Sequence, residues 1–279
     1  MDKVINLAIP HVGEQIFKSL KSDCTLIQCL EVSQTWKVLA ENILLKRWKS
    51  KMFRACRNGM TKIVKLLLEN YTKEELKIDA KDDLDWTPLM WACMNGHKDV
   101  VKLLLEHNVF DKSGLNHKSE AGETAIMLAC EQGHIDVVKL FLHYSPPEID
   151  LNARDIDGWT AFCSACRYGR TDVVKLLLDM DKEIDFNVRD KYDRYTGLQF
   201  ACIYGHFGVV KTLLDAIIAG KNIKLKLSEI KNMIKMCPDL WDCSRKHRQQ
   251  ILRLLSEFMN RVRKYSAFRP PSSVHVFSD

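Results

Sequence analysis

No stretch of this 279-residue sequence approaches the ~18 uncharged apolar positions that a membrane span requires. The opening residues, Met1-Asp2-Lys3-Val4-Ile5-Asn6, lack the basic-then-apolar pattern of a secretory leader. An intracellular protein, cytoplasmic or nuclear, is therefore expected. Glycine loops that cradle phosphate are missing as well: neither Gly-x-Gly-x-x-Gly nor Gly-x-x-x-x-Gly-Lys occurs. One cysteine pair, Cys163-x-x-Cys166, has metal-like or redox-like spacing, but no second Cys/His pair follows it. Carboxylate pairs such as Asp82-Asp83 stand without a partner base or nucleophile. The sequence thus assigns no catalytic residue, no metal ligand and no cofactor, and a non-enzymatic protein is expected.

What is present is ordinary in bulk and unusual in pattern. Hydrophobic residues make up 46% and charged residues 28%, the balance of a well-cored soluble chain. Ten cysteines would suggest a disulfide framework in a small secreted protein. Here five of them recur at one repeat position, so their spacing follows packing, and reduced thiols are expected. Charge is uneven. Between 221 and 264 there are twelve Lys/Arg against four Asp/Glu, a local net of +8 within a chain whose total is +6. Such a segment could touch nucleic acid or an acidic partner. Without a base-reading motif beside it, a solvated helix face is the preferred explanation and nucleic acid is not the expected partner.

Self-comparison exposes the repeat. The dipeptide Ala-Cys occurs at Ala55-Cys56, Ala92-Cys93, Ala129-Cys130, Ala165-Cys166 and Ala201-Cys202, at steps of 37, 37, 36 and 36. Three residues after each cysteine stands a glycine: Gly59, Gly96, Gly133, Gly169, Gly205. An apolar run follows, as in Val100-Val101-Lys102-Leu103-Leu104-Leu105. Each copy predicts two short helices. The first opens on a threonine (Thr87, Thr124, Thr160, Thr196) that can cap free N–H groups. It closes on the glycine, which tolerates a left-handed conformation. The second places apolar residues at i, i+3 and i+4 and turns its lysine outward.

The segment Thr87-Pro88-Leu89-Met90-Trp91-Ala92-Cys93-Met94-Asn95-Gly96-His97 resembles the signature of the ankyrin repeats. So do Asp150-Leu151-Asn152-Ala153 and Asp185-Phe186-Asn187-Val188, and the likeness covers about 49–215. It departs where Met90, Met127, Cys163 and Gln199 replace the motif histidine, and where Asp85 and Arg194 replace the finger glycine. The resemblance implies an all-α solenoid of helix-turn-helix units with short β-hairpin fingers. Five copies are expected over 48–217, the first incomplete. His97, His134 and His206 in the Gly-His turn are expected to tie down backbone. Residues 218–266 would form a degenerate sixth copy or basic helical cap: Cys237 to Cys243 aligns with Thr87 to Cys93, and Ile251-Leu252-Arg253-Leu254-Leu255 mimics the second helix. A polar terminal cap is what a solenoid needs. Residues 267–279 read as a disordered tail.

Residues 1–47 do not follow the repeat. Ile9-Pro10, Ile16-Phe17-x-x-Leu20, Leu26-x-x-x-Leu30 and Val32-Ser33-Gln34-Thr35-Trp36-Lys37-Val38-Leu39-Ala40 fit three short amphipathic helices. They are too few for a core of their own and should lean on the first repeat or on a partner. The pattern resembles an F-box, although Pro10 and Ile16 stand one residue too close and Gly13 replaces an apolar residue. The resemblance implies docking on the linker subunit of a cullin-RING ubiquitin ligase, with Pro10, Ile16, Phe17, Leu20, Leu26 and Trp36 contributing. A plain helical cap for the solenoid is the alternative.

Ankyrin repeats bind proteins through finger tips and the concave face of their first helices, and the resemblance places partner contacts there. The position before the motif threonine holds Trp86, Glu123, Trp159 and Tyr195. The two positions before the glycine include Met94, Asn95, Arg167, Tyr168 and Tyr204. Trp, Tyr and Arg concentrated at free positions are the makings of an interface hot spot, unless the indoles fold onto neighbouring fingers. Three functions stay open: substrate receptor of an SCF-type ligase, ankyrin scaffold or inhibitor with no ubiquitin link, and nucleic-acid or chromatin adaptor through the basic C-terminal helix.

Overall fold

The computed structural model describes residues 27–28, 34–107, 112–144, 149–180, 184–221, 223, 229–230, 233 and 244–268. It is all-α: among the described residues there is no β-strand. Helix α1 spans Gln34–Trp48, and five helix pairs follow. The first members are α2 (Met52–Arg57), α5 (Pro88–Met94), α8 (Ala125–Gln132), α10 (Ala161–Arg167) and α12 (Gly197–Ile203). The second members are α3 (Thr61–Asn70), α6 (Lys98–Glu106), α9 (Ile135–Tyr144), α11 (Thr171–Leu178) and α13 (Phe207–Ile218). Short helices α4 (Lys73–Leu76) and α7 (Lys112–Leu115) lie in the connections, and α14 covers Arg245–Phe268.

Each first helix packs on the first helix of the next copy, and the second helices do the same, giving two parallel rows. The Ala-Cys pair makes the first row possible. Ala55, Cys56, Ala92, Cys93, Ala129, Cys130, Ala165, Cys166, Ala201 and Cys202 are all fully buried. Side chains this small let neighbouring helices approach closely. The second row buries Val100, Val101, Leu104 and Leu105 and their equivalents, except that Leu68 of the first copy is half-buried, while the lysine of each run points to solvent.

Local chemistry sets the helix starts. Thr87 Oγ accepts from the N–H of Met90 at 3.3 Å, and Thr160 Oγ from that of Cys163 at 3.4 Å. Where the motif histidine is replaced, other side chains reach back: the N–H of Thr124 donates to the Met127 sulfur at 3.4 Å, and that of Thr196 to Gln199 at 2.8 Å. Helix α2 has no such cap, in keeping with an incomplete first copy.

Successive copies are stitched through the Gly-His turn. His97 Nε2 donates to the carbonyl of Arg57 at 2.9 Å, His134 to that of Met94 at 3.1 Å, and His206 to that of Arg167 at 2.7 Å. Arg170 stands at the same position in the fourth copy and donates to Glu131 O at 2.7 Å. A second stitch runs along the fingers. Lys118 Nζ donates to Arg154 O, Arg154 to Arg189 O, and Arg189 pairs with Glu229, tying the last full copy to the segment beyond it.

The fingers differ from the β-hairpins implied by the resemblance. Short turn bonds close them, such as Asp82 N–H to Trp86 O at 3.1 Å with Asp85 N–H to Asp82 O at 3.0 Å, and Asp155 N–H to Trp159 O at 3.0 Å with Gly158 N–H to Asp155 O at 3.1 Å. An aspartate takes N–H groups that a strand ladder would use. Asp82 accepts from Leu84 and Trp86, Asp155 from Asp157 and Trp159, and Asp190 from Tyr192, Asp193 and Tyr195. Asp85 and Arg194 hold φ of 61° and 60° where sister fingers use Gly122 and Gly158, so the turn survives loss of its glycine.

The ends are helical. Helix α1 runs past the expected boundary at 47 and packs on α3 through Ala40, Leu44 and Trp48. Helix α14 packs on α13 and buries Ile251 and Leu255, from the run likened to a second helix, together with Phe258, Met259 and Val262 beyond it. It extends to Phe268, two residues into the expected tail. The alignment of Cys237 to Cys243 with a first helix falls outside the described residues, as do 269–279.

Candidate functional site

The face made by the fingers and the first helices carries two cation–aromatic stacks. In the first, Trp91 on α5 donates through Nε1 to Asp82 at 2.8 Å, and its ring centroid lies 4.7 Å from that of Trp86. Arg57, one copy earlier, lies over the Trp91 ring at 4.0 Å. Burial pushes the Asp82 carboxyl up, but bonds from Trp91, Trp86 and Leu84, with Arg57 nearby, outweigh it and hold the pKa below the ordinary value. Four polar and aromatic groups, Arg57, Asp82, Trp86 and Trp91, thus fix one another before any partner arrives.

The second stack is larger. Arg167, at the end of α10, lies 3.8 Å from the Trp159 ring centroid. The rings of Tyr204, Phe200 and Tyr168 surround the same guanidinium at 5.3, 5.8 and 5.9 Å. Trp159 tilts onto Phe200 with centroids 5.0 Å apart, and Tyr195 meets Phe200 edge-on at 5.8 Å. Trp159 and Phe200 form a small cluster with Cys163 and Val188, apart from the main core, and Tyr195 and Tyr204 pack against it. Such a cluster combines apolar burial with a fixed positive charge.

Beside Arg167 sits an acidic patch. Glu123, Glu131 and Asp155 are half-buried, and burial raises all three carboxyls above their ordinary range. Mutual repulsion adds to this, Glu123 acting on Glu131 and Asp155 on Glu123. Tyr168 lies beside Glu131, and burial followed by that negative neighbour raises the phenol as well.

The structure sorts the residues singled out from the sequence. Trp159, Arg167, Tyr168, Tyr195 and Tyr204 come together, and Tyr168 is exposed at 41%. Trp159 is only 9% exposed; it folds onto the next copy and serves as the floor under Arg167. Its indole N–H is buried with no acceptor among the described residues, so stacking holds it in place. Trp86 and Met94 are half-buried against the main core, in the neighbourhood of the first stack rather than the second. Asn95 is exposed, but its amide already bonds to the carbonyls of Arg57 and Trp91 at 3.2 and 3.0 Å. Pro10, Ile16, Phe17, Leu20 and Leu26 lie outside the described residues; Trp36 belongs to α1, with its side chain outside the description.

Sequence reading passed over several residues of this face. Leu84, Ile156 and Tyr192 project from the finger tips at 53, 56 and 74% exposure. An apolar residue inside a Asp-rich turn was the available signal. Trp91 and Phe200 share one repeat position and complete both stacks, yet in sequence they look like core. Among the described residues no group of His, Cys, Asp and Glu is placed to hold a metal, and no helix is long and apolar enough to cross a membrane.

A family model described as ankyrin repeats (3 copies) matches residues 52–155, 111–190 and 146–226, which together span well over half of the chain. No curated protein matches it.

Proposed function

This chain belongs to the ankyrin-repeat family, and we propose that it is a non-catalytic adaptor that grips one protein and presents it to another. The repeats supply a protein-binding frame. The observation that carries the reading is the second stack, where Arg167 stands over Trp159 with Tyr168 and Tyr204 alongside. Interfaces concentrate their energy in Trp, Tyr and Arg held rigid at the centre of a patch, and here those groups are ordered before binding. Exposed Leu84, Ile156 and Tyr192 extend the surface along the finger tips.

The finer reading makes the chain the substrate receptor of an SCF-type ubiquitin ligase, working in cytoplasm or nucleus. Its support is the F-box-like pattern of residues 1–47, with Pro10, Ile16, Phe17, Leu20, Leu26 and Trp36 toward the linker subunit. A specific observation favours the plainer scaffold: α1, the C-terminal part of that segment, buries Ala40, Leu44 and Trp48 against α3 and caps the solenoid. Co-purification of the full chain with the linker subunit separates the two. The comparison removes residues 1–33 and spares α1, because deleting it would uncover the repeat core. Binding by the full chain that the shortened chain loses supports the ligase reading. No binding by the full chain sinks it and leaves the scaffold.

A further inference from the structure

Arg167 has the most aromatic contacts of any cation described, yet its guanidinium makes no hydrogen bond or ion pair among the described residues. Glu131 feels its charge but forms no ion pair with it. Glu131 lies beside the Tyr168 hydroxyl, and burial raises its carboxyl above the ordinary value. Other groups of the neighbourhood are committed: Arg170 to the Glu131 carbonyl, Asp155 and Asp190 to the backbone of their own fingers. Lys191 and Arg194 of the last finger are exposed, Lys191 already donating to the Ile156 carbonyl, and Asp193 stands between them.

We propose that Arg167 is the anchor for a carboxylate side chain of the bound protein, so that the partner presents an acidic residue set among apolar ones to this face. The inference rests on reading the face as protein-binding. Its logic is preorganisation. A guanidinium offers five donors in a planar fork that matches a carboxylate, and is weakly enough hydrated to lie on an aromatic floor. Stacking on Trp159 has already removed most of the side chain's freedom, so less is lost when a carboxylate arrives. The rings of Tyr204, Phe200 and Tyr168 keep water away from one side of the pair and strengthen it. Exposed Ile156 and Tyr168 nearby supply apolar contact for the residues flanking the acid.

Two short fluorescent peptides of equal length, one alternating Glu with Leu and the other Lys with Leu, test this by anisotropy against the full chain. The Glu-Leu peptide is expected to bind and the Lys-Leu peptide not to. Arg167→Ala and Arg167→Lys should each weaken the Glu-Leu peptide at least about tenfold, because lysine keeps the charge and loses the fork. Glu131→Gln, which removes a neighbouring negative charge, should tighten it roughly two- to fivefold. Should Arg167→Ala fail to fold, Arg167→Lys and Glu131→Gln decide alone. Preference for the Lys-Leu peptide, weakening by Glu131→Gln, indifference to Arg167→Lys, or no binding of either peptide overturns the proposal. Proximity labelling in cells keeps the two levels apart. Neighbours lost on Tyr168→Ala with Tyr204→Ala, but kept on Arg167→Lys, would leave the face a protein-binding one and reject only the carboxylate anchor.

Discussion

The imidazole of His134 rests on the bare backbone of Gly96, one repeat earlier. A Cβ built on that glycine would fall 2.6 Å from the ring, and the ring's Nε2 donates to the Met94 carbonyl two residues before it. The same arrangement joins Gly59 to His97 and Gly169 to His206. Each glycine therefore does two jobs. It takes a positive φ, 69° at Gly96, and it leaves room for the next copy's ring.

Substitution separates the two jobs. Gly220 also has a positive φ, 83°, but nothing lies within 4 Å of its would-be Cβ. Gly220→Ala should cost about 1 kcal/mol of backbone strain. Gly96→Ala should cost roughly 2–4 kcal/mol, since the ring must also move. Urea unfolding of the two variants gives the comparison, and equal losses would contradict the stacking role.

Arg170 offers a rescue experiment. It reaches the Glu131 carbonyl from the position where other copies use histidine. Arg170→Ala should destabilise by about 1 kcal/mol, leaving a half-buried carbonyl short of a donor. Arg170→His should recover most of that, because His97, His134 and His206 make the same bond on the same frame. Thermal melts of both variants check it.

Burial makes Glu131 a pH-dependent cost. Its folded pKa lies above the unfolded one, so the native state binds more protons between the two values and stability falls as pH rises through them. Glu131→Gln removes that cost while keeping the side chain's size and shape. The variant should melt higher than the parent at pH 7, and the difference should vanish by about pH 3, where both forms of the parent are protonated. A difference that persists at acid pH would assign the effect to packing.

The cysteine ladder should be chemically silent. Cys56, Cys93, Cys130, Cys163, Cys166 and Cys202 are buried free thiols. Burial pushes Cys56 and Cys130 up to about 12 and raises the others for which a shift is resolved. Thiolate, the reactive form, is then scarce at neutral pH. Alkylation of the native chain at pH 8, read by peptide mass spectrometry, should spare these six, and unfolding should expose them. Rapid native labelling of Cys163 would revive the redox reading of Cys163-x-x-Cys166.

What the sequence determined by itself is the frame. Ala-Cys at a fixed step, glycine three residues on and a Val-Val-Lys-Leu run specify two helices per copy, because helix periodicity, threonine caps and glycine stops act over a few residues. Even the replaced motif histidines left the frame intact, since Met127 and Gln199 reach the same backbone N–H groups. What only the tertiary structure decided is which of the like-placed residues are covered and which stay accessible. Trp86, Glu123, Trp159 and Tyr195 share one repeat position. Trp159 is covered by Phe200 and Arg167, whereas Trp86 leans on Trp91 and Glu123 lies in the acidic patch. Exposure at such a position depends on what the adjoining copy places over it. That neighbour is more than thirty residues away in the chain for Trp159 and Phe200, beyond the reach of any local pattern, and it is there that the aromatic floor beneath Arg167 is made.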